Sequence, residues 1–164
     1  SEETVSIKIP PGVEEGMQLK VSGKGNDSNN PNGISGDLLV LIEESSDNNF
    51  TREGKHLHYD LYISISEAAL GVSKDIHLID GKVRIKLESG IQSGKTLRLR
   101  NKGIPDLNGY SKGDLLVHVN IWTPKTLNKK QKDFFKEMLD DDNFRPNPNK
   151  TDKSFFEKVR DMFA

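Results

Sequence analysis

The 164 residues contain no cysteine. That excludes a disulfide framework, a thiolate nucleophile and a zinc site built on Cys ligands. An excess of one charge is missing too: 24 Lys and Arg stand against 25 Asp and Glu, a formal net charge of −1. Such a chain has no global field with which to collect nucleic acid or anionic lipid. No apolar run approaches the ~18 residues that cross a bilayer as a helix. Ser1-Glu2-Glu3 has none of the marks of a secretory signal. Hydrophobic residues make up only 33% of the chain and aromatic ones 7%. The apolar side chains are gathered in alternating runs, which implies small sheets with wet outer faces and thin cores rather than disorder.

What is present is a repeat. VRIKLESGIQSGKTLRLRNKG at 83–103, followed by GDLLV at 113–117, rewrites VSIKIPPGVEEGMQLKVSGKG at 5–25 and GDLLV at 36–40. Val5 lies opposite Val83, Ile7 opposite Ile85, Gly12 opposite Gly90, Gly16 opposite Gly94, Leu19 opposite Leu97 and Gly25 opposite Gly103. The offset holds until the loop after the Lys-Gly pair, where the second copy is one residue shorter. Glycines and strand-facing apolar positions are what two copies of one supersecondary unit share, and a period this long marks a repeated domain.

Taken in order, residues 4–9 alternate strictly and predict a half-buried strand, ended by Pro10-Pro11-Gly12. Leu19 and Val21 predict a returning strand, and the Gly- and Asn-rich stretch 23–36 a long exposed loop. Residues 37–44 (DLLVLIEE) are apolar at consecutive positions, which predicts a strand covered on both faces. Residues 45–56 read as a polar bridge in which Phe50 stands alone. Residues 57–65 alternate again, SEAALG reads as a short helical turn or bend stopped by Gly71, and a strand at 72–79 ends in the Asp80-Gly81 turn. The block 57–82 precedes the second copy, whereas four residues precede Val5. The first unit is therefore expected to lack its opening strands. After Trp122, Asn128 and Gln131 form a capping-box signature for a helix to about Leu139. Leu127, Phe134, Phe135, Met138 and Leu139 share one face, opposite Lys129, Lys130, Lys132 and Lys136. A Pro- and Asn-rich linker at 140–150 leads to a last amphipathic segment carrying Phe155, Phe156, Val159, Met162 and Phe163. Two aromatic-faced helices with no sheet to cover them imply self-association. The expected architecture is mainly β: two similar small β-sandwich-like domains in tandem plus C-terminal helices. The expected divisions are 1–53, 54–124 and 125–164.

Catalytic constellations are sparse. His56, His58 and Asp60 stand at i, i+2 and i+4, a metal-ligand spacing on one strand face, but no fourth ligand accompanies them and a solvated polar face is the favoured reading. His77 with Asp80 is a strand end entering a turn. No serine sits in a nucleophile-elbow context. The Lys-Gly elements at 23–25 and 102–103 lack the strand–loop–helix setting of a phosphate cradle and read as hairpin punctuation. Arg98, Arg100 and Lys102 could line a nucleic-acid patch, which the near-neutral charge disfavours. An apolar site is better supported. Leu39 and Leu41 lie on the face opposite Leu38, Val40 and Ile42, where they could form a shallow groove that takes an extended peptide by strand addition. Phe50 reads either as the plug of an interdomain joint or as a wall of that groove.

Laid out this way, nearly the whole chain resembles the C-terminal region of the bacterial DnaJ family, the zinc-containing class of J-domain co-chaperones. The paired turns PPGVEEG and ESGIQSG, the twice-used GDLLV, FTREG, EAALG, IDGKV and LRLRNKGIP carry the likeness in order. Two positions depart from the family: Asp47-Asn48 stand where His-Pro is usual, and Asn101 where Gly is usual. The resemblance implies that the chain begins after a zinc-binding insertion, so zinc and the J-domain are expected upstream and no cofactor within this stretch. It implies capture of apolar segments of unfolded polypeptides, with Phe50 carried over as a client-binding residue beside Leu39 and Leu41. It further implies a homodimer through Phe134, Phe135, Met138, Leu139, Phe155, Phe156 and Val159, delivery of clients to a DnaK-type chaperone by the full-length protein, a cytoplasmic location, and no catalysis, nucleic acid or membrane. The rival expectation is a structural β-repeat module without clients.

Overall fold

The computed structural model describes residues 2–162, except for the side chains of Phe156, Val159 and Met162. The strands are β1 (Gln18–Val21), β2 (Leu38–Leu41), β3 (Phe50–Glu53), β4 (His56–Ser64), β5 (Val72–Leu78), β6 (Gly81–Leu87), β7 (Thr96–Leu99) and β8 (Leu115–Trp122). Helix α1 (Ile65–Leu70) lies between β4 and β5; α2 (Lys129–Met138), a 3-10 turn (Asp142–Phe144) and α3 (Lys150–Met162) follow β8. The strands form a β1-β2 ladder, a four-stranded sheet in the order β3-β4-β8-β7, and a β5-β6 ladder. The chain is thus mainly β, with β units in tandem followed by C-terminal helices. It divides into two compact units, Ser1–Leu61 with Thr96–His118, and Tyr62–Lys95 with Val119–Ala164.

The repeat is a repeat of hydrogen bonds. In the first copy the Gly16 amide donates to the Ile42 carbonyl at 2.9 Å and the Ile42 amide to the Met17 carbonyl at 2.8 Å. In the second, Gly94 donates to Val119 at 2.8 Å and Val119 to Lys95 at 2.9 Å. Gly25 donates to Gly36 at 2.8 Å as Gly103 donates to Gly113 at 2.9 Å. Both last-named glycines are required sterically: a Cβ on Gly25 would lie 2.6 Å from the Asp37 carbonyl oxygen, and one on Gly103 2.6 Å from the Lys55 carbonyl oxygen. The aspartate of each GDLLV closes the hairpin as well. Asp37 accepts from the Gly23 amide at 3.0 Å and pairs with Lys20 at 2.8 Å. Asp114 accepts from the Asn101 amide at 3.1 Å and pairs with Arg98 at 2.6 Å. Gly23 and Asn101 both sit in the left-handed region, at φ +69° and +59°. Asparagine is the residue besides glycine that visits this region most readily, so the departure at Asn101 leaves the turn intact.

Three expectations are corrected by the fold. Residues 4–9 form no strand. Alternation gives them sidedness, but a ladder needs a partner backbone. The counterpart segment, β6, has one in β5, paired from Val72↔Leu87 to Leu78↔Gly81; residues 4–9 have none among the described residues. Residues 37–44 are covered on one face instead of two, since Leu39 and Leu41 are 60% and 57% exposed. The polar bridge 45–56 contains β3, which pairs antiparallel with β4 from Phe50↔Tyr59 to Glu53↔His56.

The buried hydrophobic side chains all fall from residue 61 onward among the described residues. Leu61, Leu115 and Val117 belong to the first unit; Ile63, Ala68, Ile76, Ile85, Leu87, Ile91 and Val119 belong to the second. Helix α1 is placed by a full capping box: Ser64 Oγ accepts from the Glu67 amide at 3.0 Å, and Glu67 Oε1 accepts from the Ser64 amide at 3.1 Å. The Lys74 ammonium, 2.6 Å from the Glu67 carboxylate, holds that carboxyl below its ordinary range, assisted by the Ser64 amide. Helix α2 has the expected Asn128–Gln131 box, with bonds of 2.9 and 2.8 Å. Helix α3 has an equivalent that the Asn-rich linker conceals, Asn149 with Asp152, at 2.8 and 3.0 Å.

Candidate functional site

The strand β2 is short and has a single ladder partner, β1, with Gln18↔Leu41 and Lys20↔Leu39 in register. Its inward residues Leu38 and Val40 are half-buried, and Ile42 continues the pattern just past the strand. Its outward residues, Leu39 and Leu41, are therefore an apolar pair in solvent, and Glu43 extends the same exposed phase by one pleat. In the second copy the three outward positions hold Leu116, His118 and Asn120, all half-buried. They lie on β8, which has neighbours on both sides.

Phe50 opens β3, on a different sheet from the two leucines. It is half-buried, and its ring packs against Tyr59 directly across the ladder, with centroids 5.2 Å apart and planes at 48°. Asp47, one of the departures from the family pattern, sets its position: the Asp47 carboxylate accepts from the Asn49 amide at 2.7 Å and from the Phe50 amide at 3.2 Å. This is an Asx turn delivering the chain into β3.

The residue that sequence reasoning missed is Arg52. Its side chain is only 16% exposed, yet it makes five polar contacts. Nε donates to the Gly54 carbonyl at 2.8 Å, Nη1 to the Val13 carbonyl at 2.6 Å and to Glu44 Oε2 at 3.1 Å, and Nη2 to the Gly12 carbonyl at 3.1 Å, with Glu14 at 3.8 Å. Arg52 thereby ties β3 to the turn before β1 and to the segment just after β2. The planar fork of guanidinium donors suits this role, which the single ammonium of lysine could not fill. A signal was available: Arg52 shares the face of Phe50 at period 2, and an inward arginine on a strand needs partners.

The remaining candidates serve the scaffold. The His56 ring nitrogen Nδ1 accepts from the Asp114 amide at 2.9 Å. His58 Nδ1 meets His118 Nε2 at 2.8 Å, His58 Nε2 meets Glu53 Oε2 at 2.7 Å, and His118 Nδ1 meets Thr96 Oγ1 at 3.1 Å. The His58 and His118 rings are parallel within 7° with centroids 5.1 Å apart. With a nitrogen–nitrogen contact so short, they meet edge to edge through one hydrogen bond rather than face to face. His56 and His58 are thus turned to separate partners, Asp60 is exposed, and among the described residues no group of three or more His, Asp or Glu side chains converges as metal ligands. Arg98, Arg100 and Lys102 do not line one strand, because β7 ends at Leu99 and Arg98 is held by Asp114. The two paired aspartates have carboxyl groups below the ordinary range: Asp37 through its hydrogen bond to Lys20 and then the Gly23 amide, Asp114 through Arg98 and then the Asn101 amide.

On the helices, Phe134 meets Phe135 edge-on at 5.4 Å and Phe144 at 6.3 Å. Phe134, Leu139 and Phe144 are exposed, while Phe135, Met138 and Phe155 are half-buried. The side chains of Phe156 and Val159, and the whole of Phe163, lie outside the described residues.

Residues 1–124 match the family model of the DnaJ C terminal domain. The chain is 48% identical over 162 residues to Chaperone protein DnaJ of Bacteroides thetaiotaomicron, covering 99% of this chain and 40% of that protein. It is 47% identical over 162 residues to the Bacteroides fragilis protein of the same name, covering 99% and 41%. It is 41% identical over 165 residues to that of Salinibacter ruber, covering 99% and 42%. The chain therefore spans about two-fifths of the length of these curated relatives.

Proposed function

The chain belongs to the DnaJ C-terminal domain family, and on that premise we propose that it holds extended, apolar segments of unfolded polypeptides. The observation that carries this reading is the outward pair Leu39 and Leu41 on a strand with one neighbour. A client segment laid along β2 would add backbone hydrogen bonds and place alternate side chains on the two leucines. Edge strands that must stay unpaired usually carry charge. Both strands of the β5-β6 ladder do so, through Lys74, Asp75, Lys82, Arg84 and Lys86, whereas β2 reads Leu-Leu-Val-Leu. Phe50 supports the site from β3, linked to the end of β2 through Arg52 and Glu44. No reaction is required of these residues, and the function is binding, not catalysis.

In the longer protein the same segment would pass clients to a DnaK-type chaperone in the cytoplasm. Two copies joined through the aromatic faces of α2 and α3 would offer paired sites at high effective concentration. Removal of residues 125–164 is then expected to leave monomers by light scattering; a persistent dimer would place the interface elsewhere. The site is tested by suppression of aggregation of a denatured client, together with anisotropy of a labelled apolar peptide. Leu39→Ser with Leu41→Ser is expected to weaken binding about tenfold, from the loss of roughly one buried leucine's worth of transfer energy. Phe50→Ala should weaken it too, with thermal unfolding retained in both variants. Unchanged client affinity would remove these residues from the site, and no suppression even by the parent chain would favour a structural module.

A further inference from the structure

The face that holds Leu39 and Leu41 also carries an uncommitted charge at one end. Four glutamates cluster where β2 meets the turn before β1: Glu14, Glu15, Glu43 and Glu44. Three of them are engaged. Glu44 accepts from Arg52 at 3.1 Å, Glu14 stands 3.8 Å from the same guanidinium, and a Glu15 carboxylate oxygen accepts from the Glu44 amide. Glu43 is exposed, and its carboxylate takes no partner among the described residues. At the other end of the strand the charges cancel, because Asp37 is paired with Lys20 and bound by the Gly23 amide. The exposure pattern runs half-buried and exposed by turns from Leu38 to Glu43. Leu39, Leu41 and Glu43 therefore present apolar, apolar and anionic side chains along one pleated face. The second copy has Asn120 in place of Glu43 and offers no such charge.

We infer that this face selects extended polypeptide segments with two apolar side chains at alternate positions and a Lys or Arg at the next alternate position, over the Glu43 carboxylate. This rests on the proposed client site and adds its charge preference. Strand pairing fixes the alternate spacing, since every second side chain of an added segment projects to the same side. A cation two residues beyond the apolar pair then meets Glu43, while an acidic residue there is repelled without any partner to relieve it. The contact is exposed, so it acts on selection more than on total affinity.

The test uses the full 164-residue chain and short labelled peptides with leucines at alternate positions. The next alternate position is Lys, Gln or Glu, placed either after or before the leucine pair to cover both strand directions. In one direction the Lys peptide is expected to bind about two- to fivefold more tightly than the Gln peptide, the range of an exposed ion pair. The Glu peptide should be weaker than both. Glu43→Gln should erase the preference, Glu43→Lys should reverse it, and added salt should shrink it. Equal binding of all peptides to the parent chain overturns the inference while leaving the leucine site standing. So does a Lys preference that survives Glu43→Gln. Failure of every peptide to bind removes the leucine site itself, and the charge preference with it.

Discussion

Leu38 and Leu115 occupy the same step of the two copies, yet the first is half-buried and the second fully enclosed. The same holds for Val40 against Val117 and for Ile9, 58% exposed, against Leu87 at 1%. The hydrogen bonds that close the two hairpins agree to within 0.1 Å at each matched position, from Gly16 and Gly94 to Gly25 and Gly103. The copies thus share a backbone plan and differ in neighbours: β8 is flanked by β4 and β7, whereas β2 has β1 alone. A β-hairpin does not bury itself; the layers laid against it do. The second copy is enclosed, while the first leaves Leu39 and Leu41 exposed. The outward positions follow the same division, with Leu41 bare where His118 is bonded to both His58 and Thr96.

The strongest way to break this contrast is to empty the matched inward positions. Leu115→Ala is expected to cost about 2–5 kcal/mol of unfolding free energy, as a buried leucine does. Leu38→Ala should cost less than half of that, since much of its side chain already meets water. Chemical denaturation of the two variants decides the matter, and equal losses would mean that both copies are equally part of the core. A smaller effect sharpens what the copies share. Asp37 and Asp114 both have folded-state pKa values below the ordinary one of about 3.9. A depressed carboxyl adds stability that is fully present above its unfolded pKa and is lost as pH falls through the folded value. Both hairpins should therefore loosen below about pH 4, and Asp37→Asn or Asp114→Asn should flatten the acid limb of the stability profile. The change should be larger at Asp114, whose side chain is 15% exposed against 36% for Asp37. Identical acid limbs in the parent and both variants would show that the aspartate clasps contribute nothing. Smallest of all is the two- to fivefold peptide preference at Glu43, for which the second copy has no counterpart.

Much of the local structure is legible in the sequence. The capping box at Asn128, with Gln131, the stop at Gly71 and the turn at Asp80-Gly81 depend on residues a few positions apart, and they form where the residue types place them. β3 was hidden because four residues, Phe-Thr-Arg-Glu, put an arginine where an apolar side chain would have completed the alternation. The Arg52 fork is satisfied by carbonyls at Gly12 and Val13, some 40 residues away in sequence, a match that no local pattern reveals. Of the candidate site, strand pleating puts Leu39 and Leu41 on one face, but the unbroken apolar run predicted that face covered, and its exposure came from the structure. The role of Asp47 at Phe50, and the engagement of three of the four neighbouring glutamates, could not be read from the sequence.

The sequence alone therefore determined that the chain writes one hairpin unit twice, where each copy turns, and that Leu39 and Leu41 oppose Leu38 and Val40. These features rest on steric and hydrogen-bonding rules acting over a few residues. Only the tertiary structure decided that VRIKL is a strand while VSIKI has no ladder partner among the described residues, that Leu115 is sealed while Leu38 is not, and that Glu43 takes no partner among the described residues. Pairing and burial are supplied by segments distant in the chain, and two nearly identical stretches acquire different fates when different neighbours reach them.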